Sequence, residues 1–204
     1  MRIDLHCHSK FSHDSYFEPE ALIEEAINKK LDGVCFTEHY SMNASFPVEK
    51  IKVPDGFFVF RGLEISTNQG HLLVYGVRSD EWNIWARNNY LDCIEVMDRV
   101  HALGGICVPA HPFRGYDSLG DDVMHIDGFD AIETHNGFNI EKANRQAIQV
   151  ARHKNLPSIG GSDCHNRMQV GRAFTVFENS VYTMGGLVRE IKRGKCKGAL
   201  RKEA

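Results

Sequence analysis

RIDLHCH, residues 2–8, alternates apolar and polar side chains as a β-strand does, with 2–6 opening the strand. A period of two puts His6 and His8 on one face, together with Asp4, and Cys7 on the other. A helical pattern follows from about Pro19, a good first-turn residue, with Leu22, Ile23, Ala26 and Ile27 on one stripe and Gly33 just beyond its end. VCFTEH (34–39) is a second strand, so the chain opens with a β-α-β unit.

The alternation continues outward from there. FFVFRGLEI (57–65) and HLLVYGV (71–77) are strands separated by Ser-Thr-Asn-Gln-Gly, which suits a hairpin. A helix over about 82–103, with Tyr90, Ile94 and Met97 on one stripe, stops at Gly104-Gly105. GICVPAH (105–111) and FDAIET (129–134) are strands, and 140–153 is a helix carrying Ile140, Ala143, Ala147 and Ala151. PSIGGSDCH (157–165) and GRAFTVF (171–177) are extended, and a last helix over roughly 184–193 carries Leu187 and Ile191. Strands and helices in this order, in a chain of 204 residues, predict a single α/β domain built as a small or distorted (β/α) barrel with a mostly parallel sheet. A regular eight-fold barrel takes about 250 residues.

Composition narrows the functional classes. With 42% hydrophobic and 25% charged residues the chain is an ordinary globule, neither disordered nor collagenous. No apolar run is long enough for a membrane span and the N-terminus has no apolar signal core, so a cytoplasmic protein without membrane contact is expected. The six cysteines, at 7, 35, 93, 107, 164 and 196, lack framework or CxxC spacing and are read as reduced thiols. A net charge of −3 is not that of a dedicated nucleic-acid binder. The stretch 189–204 does hold seven Lys/Arg against two Glu; its end, 195–204, is read as a solvated basic tail, which leaves a nucleic-acid substrate possible but not favoured.

Histidine is abundant, eleven in all, and its placement matters more than its number. The strands end in His6 and His8, in Glu38-His39, in Glu64, in His111, and in Asp163 and His165. Parallel β/α folds gather their active sites at that rim. Asp163-Cys164-His165 repeats the geometry of His6-Cys7-His8, so Cys7 and Cys164 are expected to turn into packing. In the hairpin, Glu64 leaving one strand meets His71 entering the next. His13, His101, His125, His135 and His153 are left out of this ligand set; His101 and His153 lie on helices and are read as solvated, and His135 as a group lining the pocket.

DLHCHSKFSHD (4–14), TEH (37–39), GLEIS (62–66), GHLLVYG (70–76), AHPFRG (110–115) and GGSDCH (160–165), in that order, resemble the polymerase and histidinol phosphatase (PHP) family of metal-dependent phosphoesterases. The resemblance runs over 1–194, with about 157–194 similar to the segment that closes many stand-alone members. It implies a distorted (β/α)7 barrel with a trinuclear site for divalent Zn, Mn or Fe. His6, His8, Glu64 and Asp163 would hold one ion, Glu64, His71 and His111 a second, and Asp14, His39 and His165 a third. Asp14 stands where some members have His. The 39 residues between His71 and His111 leave no room for the helical subdomain of relatives that attack nucleoside bisphosphates and short nucleic acids.

Charge then points to substrate. Three divalent ions against three liganding carboxylates leave an excess that one hydroxide and one phosphate monoester dianion would cancel, so a phosphorylated small molecule is the expected substrate. Glu64 and Asp163 are read as catalytic through the ions they hold. Arg114 is read as a forked phosphate grip, with Asn136 and His135 as further substrate contacts and Asp4 as an orienting partner of His6 or His8. Rival readings are a nuclease or nucleotide phosphatase, an amidohydrolase, which would leave Asp14, His39 and Glu64 without duties, and a non-catalytic metal module.

Overall fold

The computed structural model describes residues 1–80, 82 and 91–202. β1 (Arg2–Cys7) and β2 (Gly33–His39) are joined by α1 (Pro19–Asn28), which turns Leu22, Ile23 and Ala26 inward. β3 (Phe58–Thr67) and β4 (Gly70–Tyr75) form the expected hairpin, with Ser66 opposite His71. After α2 (Cys93–Ala102) come β5 (Ile106–Pro109), β6 (Ile132–Asn136), α3 (Glu141–His153), β7 (Ser158–Gly161), β8 (Ala173–Phe177), α4 (Met184–Lys192) and β9 (Cys196–Leu200). Of the helix expected over 82–103, the described part is Cys93–Ala102, which Asp92 caps through the amides of Ile94 and Glu95; residues 83–90, Tyr90 among them, lie outside the described residues. No described helix is long and apolar enough to cross a membrane.

The fold is a distorted α/β barrel. Seven strands make one curled sheet in the order β5-β4-β3-β2-β1-β8-β9, and β6 pairs with β7 in a second. β1, β2 and β3 are parallel, as are β6 and β7, but β4, β8 and β9 run antiparallel to their neighbours, so the sheet is more mixed than expected. The β6-β7 pair bridges the two sides of the curl: the Asp130 amide donates to Cys107 before β6, and the Asp163 and His8 amides link β7 to β1 through His6 and Cys164 carbonyls. Tyr75 is fully buried in the interior and its hydroxyl donates to the Leu5 carbonyl at 2.8 Å. The interior also holds Ile3, Leu5, Leu73, Ile106, Val108 and Ile159.

Two sequence expectations change here. The basic C-terminal stretch is not a free tail: Cys196–Leu200 is an edge strand on β8, since its backbone donors and acceptors complete a ladder there. His101 is not simply solvated but sits 2.9 Å from Asp130 Oδ2, tying α2 to the start of β6.

Gly161 is required by the closure at β7. A Cβ there would lie 2.3 Å from His6 Cβ and 2.6 Å from His6 N. Gly161→Ala is therefore expected to lower stability by about 1–3 kcal/mol, the usual cost of overpacking. Chemical denaturation measures this, and an unchanged midpoint would contradict the close approach.

Candidate metal centre

The nine predicted ligands converge at one rim. Neighbouring strands deliver them because the parallel register sets His39 of β2 beside Glu64 of β3, while the hairpin brings His71 back across the turn. Glu64 is the hub. Its Oε2 lies 3.0 Å from His8 Nε2 and 3.3 Å from His6 Nε2, and its Oε1 lies 2.9 Å from His111 Nε2 and 3.0 Å from His71 Nδ1. Asp163 Oδ1 stands 3.5 and 3.6 Å from His6 and His8. Asp14 Oδ2 lies 3.2 Å from His39 Nε2 and 2.9 Å from His165 Nε2. The His13 ring lies tilted against that of His39, 5.0 Å between centres, and is outside this set.

The chain's electrostatics favour a cation here. Burial works against the ionised form of each carboxyl but is overcome. The imidazoles of His6 and His71, with the hydrogen bond from His111, hold Glu64 well below the usual carboxylate range. His6 and Arg114 do the same for Asp163, and His165 and His39 for Asp14. Burial pushes the His8 imidazole down to about 4, which leaves its ring a lone pair for a cation at neutral pH, and also lowers His111. His6, His39 and His165 move the other way: Asp163, Glu64 and Glu133 outweigh burial at His6, and Asp14 with Glu64 or Asp163 does so at His39 and His165.

The next layer of side chains was only partly legible in the sequence. Glu133 was missed. It is fully buried on β6, with Oε1 3.0 Å from His6 Nδ1, while Oε2 accepts from the His111 amide at 2.6 Å and from Asn136 Nδ2 at 3.0 Å. An acidic residue inside FDAIET, one position before the strand's end, was the available signal. Glu38 accepts from the hydroxyls of Ser9 and Ser12, and Ser12 Oγ lies 3.1 Å from His8 Nδ1, so Glu38 braces His8 through a hydroxyl. Burial raises the Glu38 carboxyl to about 7.

Three assignments are corrected. Asp4 does not touch an imidazole; its carboxylate accepts from the amides of Ser162 (2.8 Å), Gly171 (2.8 Å) and His6 (3.3 Å), clamping the loops around β7 to β1. His135 does not line the metal cavity. It bonds the Thr134 hydroxyl and faces a separate cavity beside α3 and β9. Asn136 is fully buried and bonds Glu133, Asp163 and Arg114, so it braces the ligand layer from behind. The cause is an irregularity in the β6 register between Glu133 and His135, which breaks the alternation of sides.

The mouth is a cavity of about 310 Å³ lined by Asp14, His39, Glu64, His71, Asp163, His165 and Arg114, among others. Arg114 contacts Asp163 Oδ2 and points its guanidinium at the ligand layer. His111 and Asp163 both sit at positive φ (+31° and +54°), backbone geometry that non-glycine residues adopt at a cost and that is concentrated at functional sites. A larger cavity of about 640 Å³ near Arg61 contains none of the nine ligands.

Divalent ions fit this donor set. His6 Nε2 and His8 Nε2 face each other at 3.1 Å, an arrangement that a shared cation satisfies better than one proton does. His39 Nδ1 and His111 Nδ1 are buried without a hydrogen-bond partner among the described residues. Five overlapping triads, among them His6-His8-Glu64, His8-Asp14-His39 and Glu64-His71-His111, bring their ligand atoms within 4.8 Å of one another. The donors are nitrogen and oxygen, a set that suits divalent ions rather than soft metals; Cys7 and Cys164 are buried in packing.

Residues 4–116 match the PHP domain family and residues 141–196 the PHP-associated family. An uncharacterized protein of Methanocaldococcus jannaschii is 25% identical over 150 residues, covering 68% of this chain and 84% of that one. A probable phosphatase of Caldicellulosiruptor saccharolyticus is 35% identical over 72 residues, 31% of this chain and 30% of its own length. A lesion-specific endonuclease from Pyrococcus furiosus shares the fold, with TM-score 0.75 and 20% identity over 97% of this chain, which spans only 57% of that enzyme. With its rim of imidazoles and carboxylates carried on a curled α/β barrel, this chain belongs to the PHP domain family of metal-dependent phosphoesterases.

Proposed function

We propose that the chain hydrolyses phosphate monoesters of small molecules at a three-ion site, and the observation that carries this is the double engagement of Glu64. One carboxylate oxygen faces His6 and His8, the other His71 and His111. A carboxylate so placed would serve two metal positions, one with His6, His8 and Asp163 and one with His71 and His111, and Asp14, beside His39 and His165, would hold a third. Divalent ions bound there would act as Lewis acids and lower the pKa of water to about 7. Arg114, its side chain 11% exposed, lines the cavity with Nη2 held by Asp163 and Asn136 and Nε by Asn139, and would meet phosphate through its remaining donors or by exchanging these partners. Beyond the nine ligands, the Glu133 carboxylate and the Arg114 guanidinium offset each other, so the cavity stays matched to one dianion and its attacking nucleophile. The start of the basic stretch lies away from the ligands, where Lys192 and Lys195 pair with Asp130 and Glu178, and Arg201 beyond β9 is occupied by the Gly171 and Lys29 carbonyls.

Elemental analysis together with phosphate release from sugar phosphates, nucleotides, histidinol phosphate and an oligonucleotide tests the reading. About three ions per chain and turnover of a monoester are expected. One ion per chain, or turnover confined to amides, would overturn it.

Glu133 acts through His6 in this scheme. A carboxylate on the outer ring nitrogen fixes the tautomer and orientation of a ligand histidine, and its loss typically costs 10- to 100-fold in metal affinity. Glu133→Gln is expected to show a loss of about that size in a competitive chelator titration while remaining folded. Unchanged affinity would assign Glu133 to packing alone.

A further inference from the structure

Two exposed aromatic rings stand at the mouth of the metal cavity, and the proposed phosphatase reading leaves them without a task. Tyr116 follows β5 and is 58% exposed; Phe138 follows β6 and is 50% exposed. Both line the cavity that holds the ligands. Arg114 lies against both, its guanidinium carbon 5.7 Å from the Tyr116 ring centre and 5.4 Å from that of Phe138. The same guanidinium reaches Asp163, so the rings begin where the ligand layer ends. Tyr16 and Met168 add exposed apolar surface on the neighbouring loops that carry Asp14 and His165.

Covering Arg114 explains only part of this surface. Two rings that needed only to shield a cation would be buried against it, yet about half of each remains in water. Large apolar groups left exposed beside a polar cavity mark a binding surface. A guanidinium on one side of a ring strengthens its attraction for a further flat π-system, and base–aromatic stacking is tolerant of the partner's identity.

We propose that Tyr116 and Phe138 form a stacking platform for a flat aromatic ring in the leaving group, which makes the substrate an aromatic phosphate monoester. This rests on the phosphoesterase reading above. In the reaction, water adds its oxygen to phosphorus, the ester P–O bond breaks, and the departing oxygen takes a proton to give inorganic phosphate and the aromatic alcohol or phenol. Two sources share this chemistry: a nucleobase one sugar away from the phosphate, and an aryl ring bonded directly to the ester oxygen.

Matched pairs of esters test it on the intact metal-loaded protein. Adenosine 5′-monophosphate is compared with ribose 5-phosphate, and phenyl phosphate with cyclohexyl phosphate, reading KM where the ester is hydrolysed and Kd where it is not. The native protein is expected to prefer the aromatic member of at least one pair by about tenfold, the usual scale of one stacked ring. In the double variant Tyr116→Leu/Phe138→Leu, which keeps apolar cover over Arg114, that ratio is expected to fall to about one. The pair that shows the effect identifies the source. No preference in either pair, or a preference that survives the double variant, overturns the platform. Aromatic preference without hydrolysis of any ester would keep the platform and sink the phosphatase reading, whereas hydrolysis without preference would do the reverse.

Discussion

Glu64→Gln is expected to strip about two of the bound ions and to reduce turnover by on the order of 10³-fold or more, since single stabilisers of transition-state charge are each worth about 10²–10³ and Glu64 serves two positions. The amide keeps the shape of the side chain, which is 2% exposed and wedged among His6, His8, His71 and His111, so the barrel should still close. What changes is charge and lone-pair count: an amide offers one acceptor oxygen where a carboxylate offers two. The trio around Asp14 is the least tied to Glu64, because Asp14 reaches His39 and His165 directly and only His39 also approaches Glu64, at 3.5 Å. One ion retained at that trio, with circular dichroism unchanged, is the expected outcome. A variant that kept both its full metal content and its rate would show that Glu64 is not shared.

Asp4→Ala is expected to be the most destabilising single change outside the ligand set. Asp4 is completely buried and its carboxylate accepts from three backbone amides, those of His6, Ser162 and Gly171. Each buried amide left without an acceptor costs about 1–3 kcal/mol, or about 3–9 for three; removing the carboxylate also removes its burial penalty, so the lower part of that range, about 3–5 kcal/mol, is expected. For a chain of this length that lowers Tm by on the order of 10 °C. Asp4→Asn should fall between the two, since one oxygen still serves Ser162 and His6 while Gly171 meets an amide donor. Differential scanning calorimetry of the metal-free proteins reads these differences without interference from bound ions. Equal stability of all three proteins would show that the clamp contributes nothing.

Eight of the nine residues expected as ligands were legible because they stand at or near a strand end, where local spacing decides direction; Asp14 lies in the loop after β1 and came only from the family resemblance. His6-Cys7-His8 and Asp163-Cys164-His165 need only the two-residue period of a strand, and Glu64 and His71 need only a hairpin turn between them. The supporting layer was not legible for the opposite reason. Glu133 and Asn136 reach their partners across the barrel, and the β6 register irregularity moves His135 out of the series that simple alternation would place it in. Asp4 was assigned to an imidazole because it shares a face with His6 and His8, but face-sharing does not say which of several nearby donors wins. Three backbone amides were closer. The basic C-terminal stretch was misjudged similarly: charge suggested solvent, while the open edge of β8 offered a ladder to complete.

By itself, the order of residues determined the β/α character of the chain, its ligand types and the faces on which they stand, since these follow from periods of two and 3.6 residues and from turn chemistry. Only the tertiary structure decided that β6 and β7 would bridge the curl, that β9 would seal its edge, and that Glu133, Asn136 and Arg114 would meet behind and beside the ligands. Such contacts join residues far apart along the chain, and their choice depends on which groups are left desolvated and unpaired once the core has closed, a quantity that no local pattern contains.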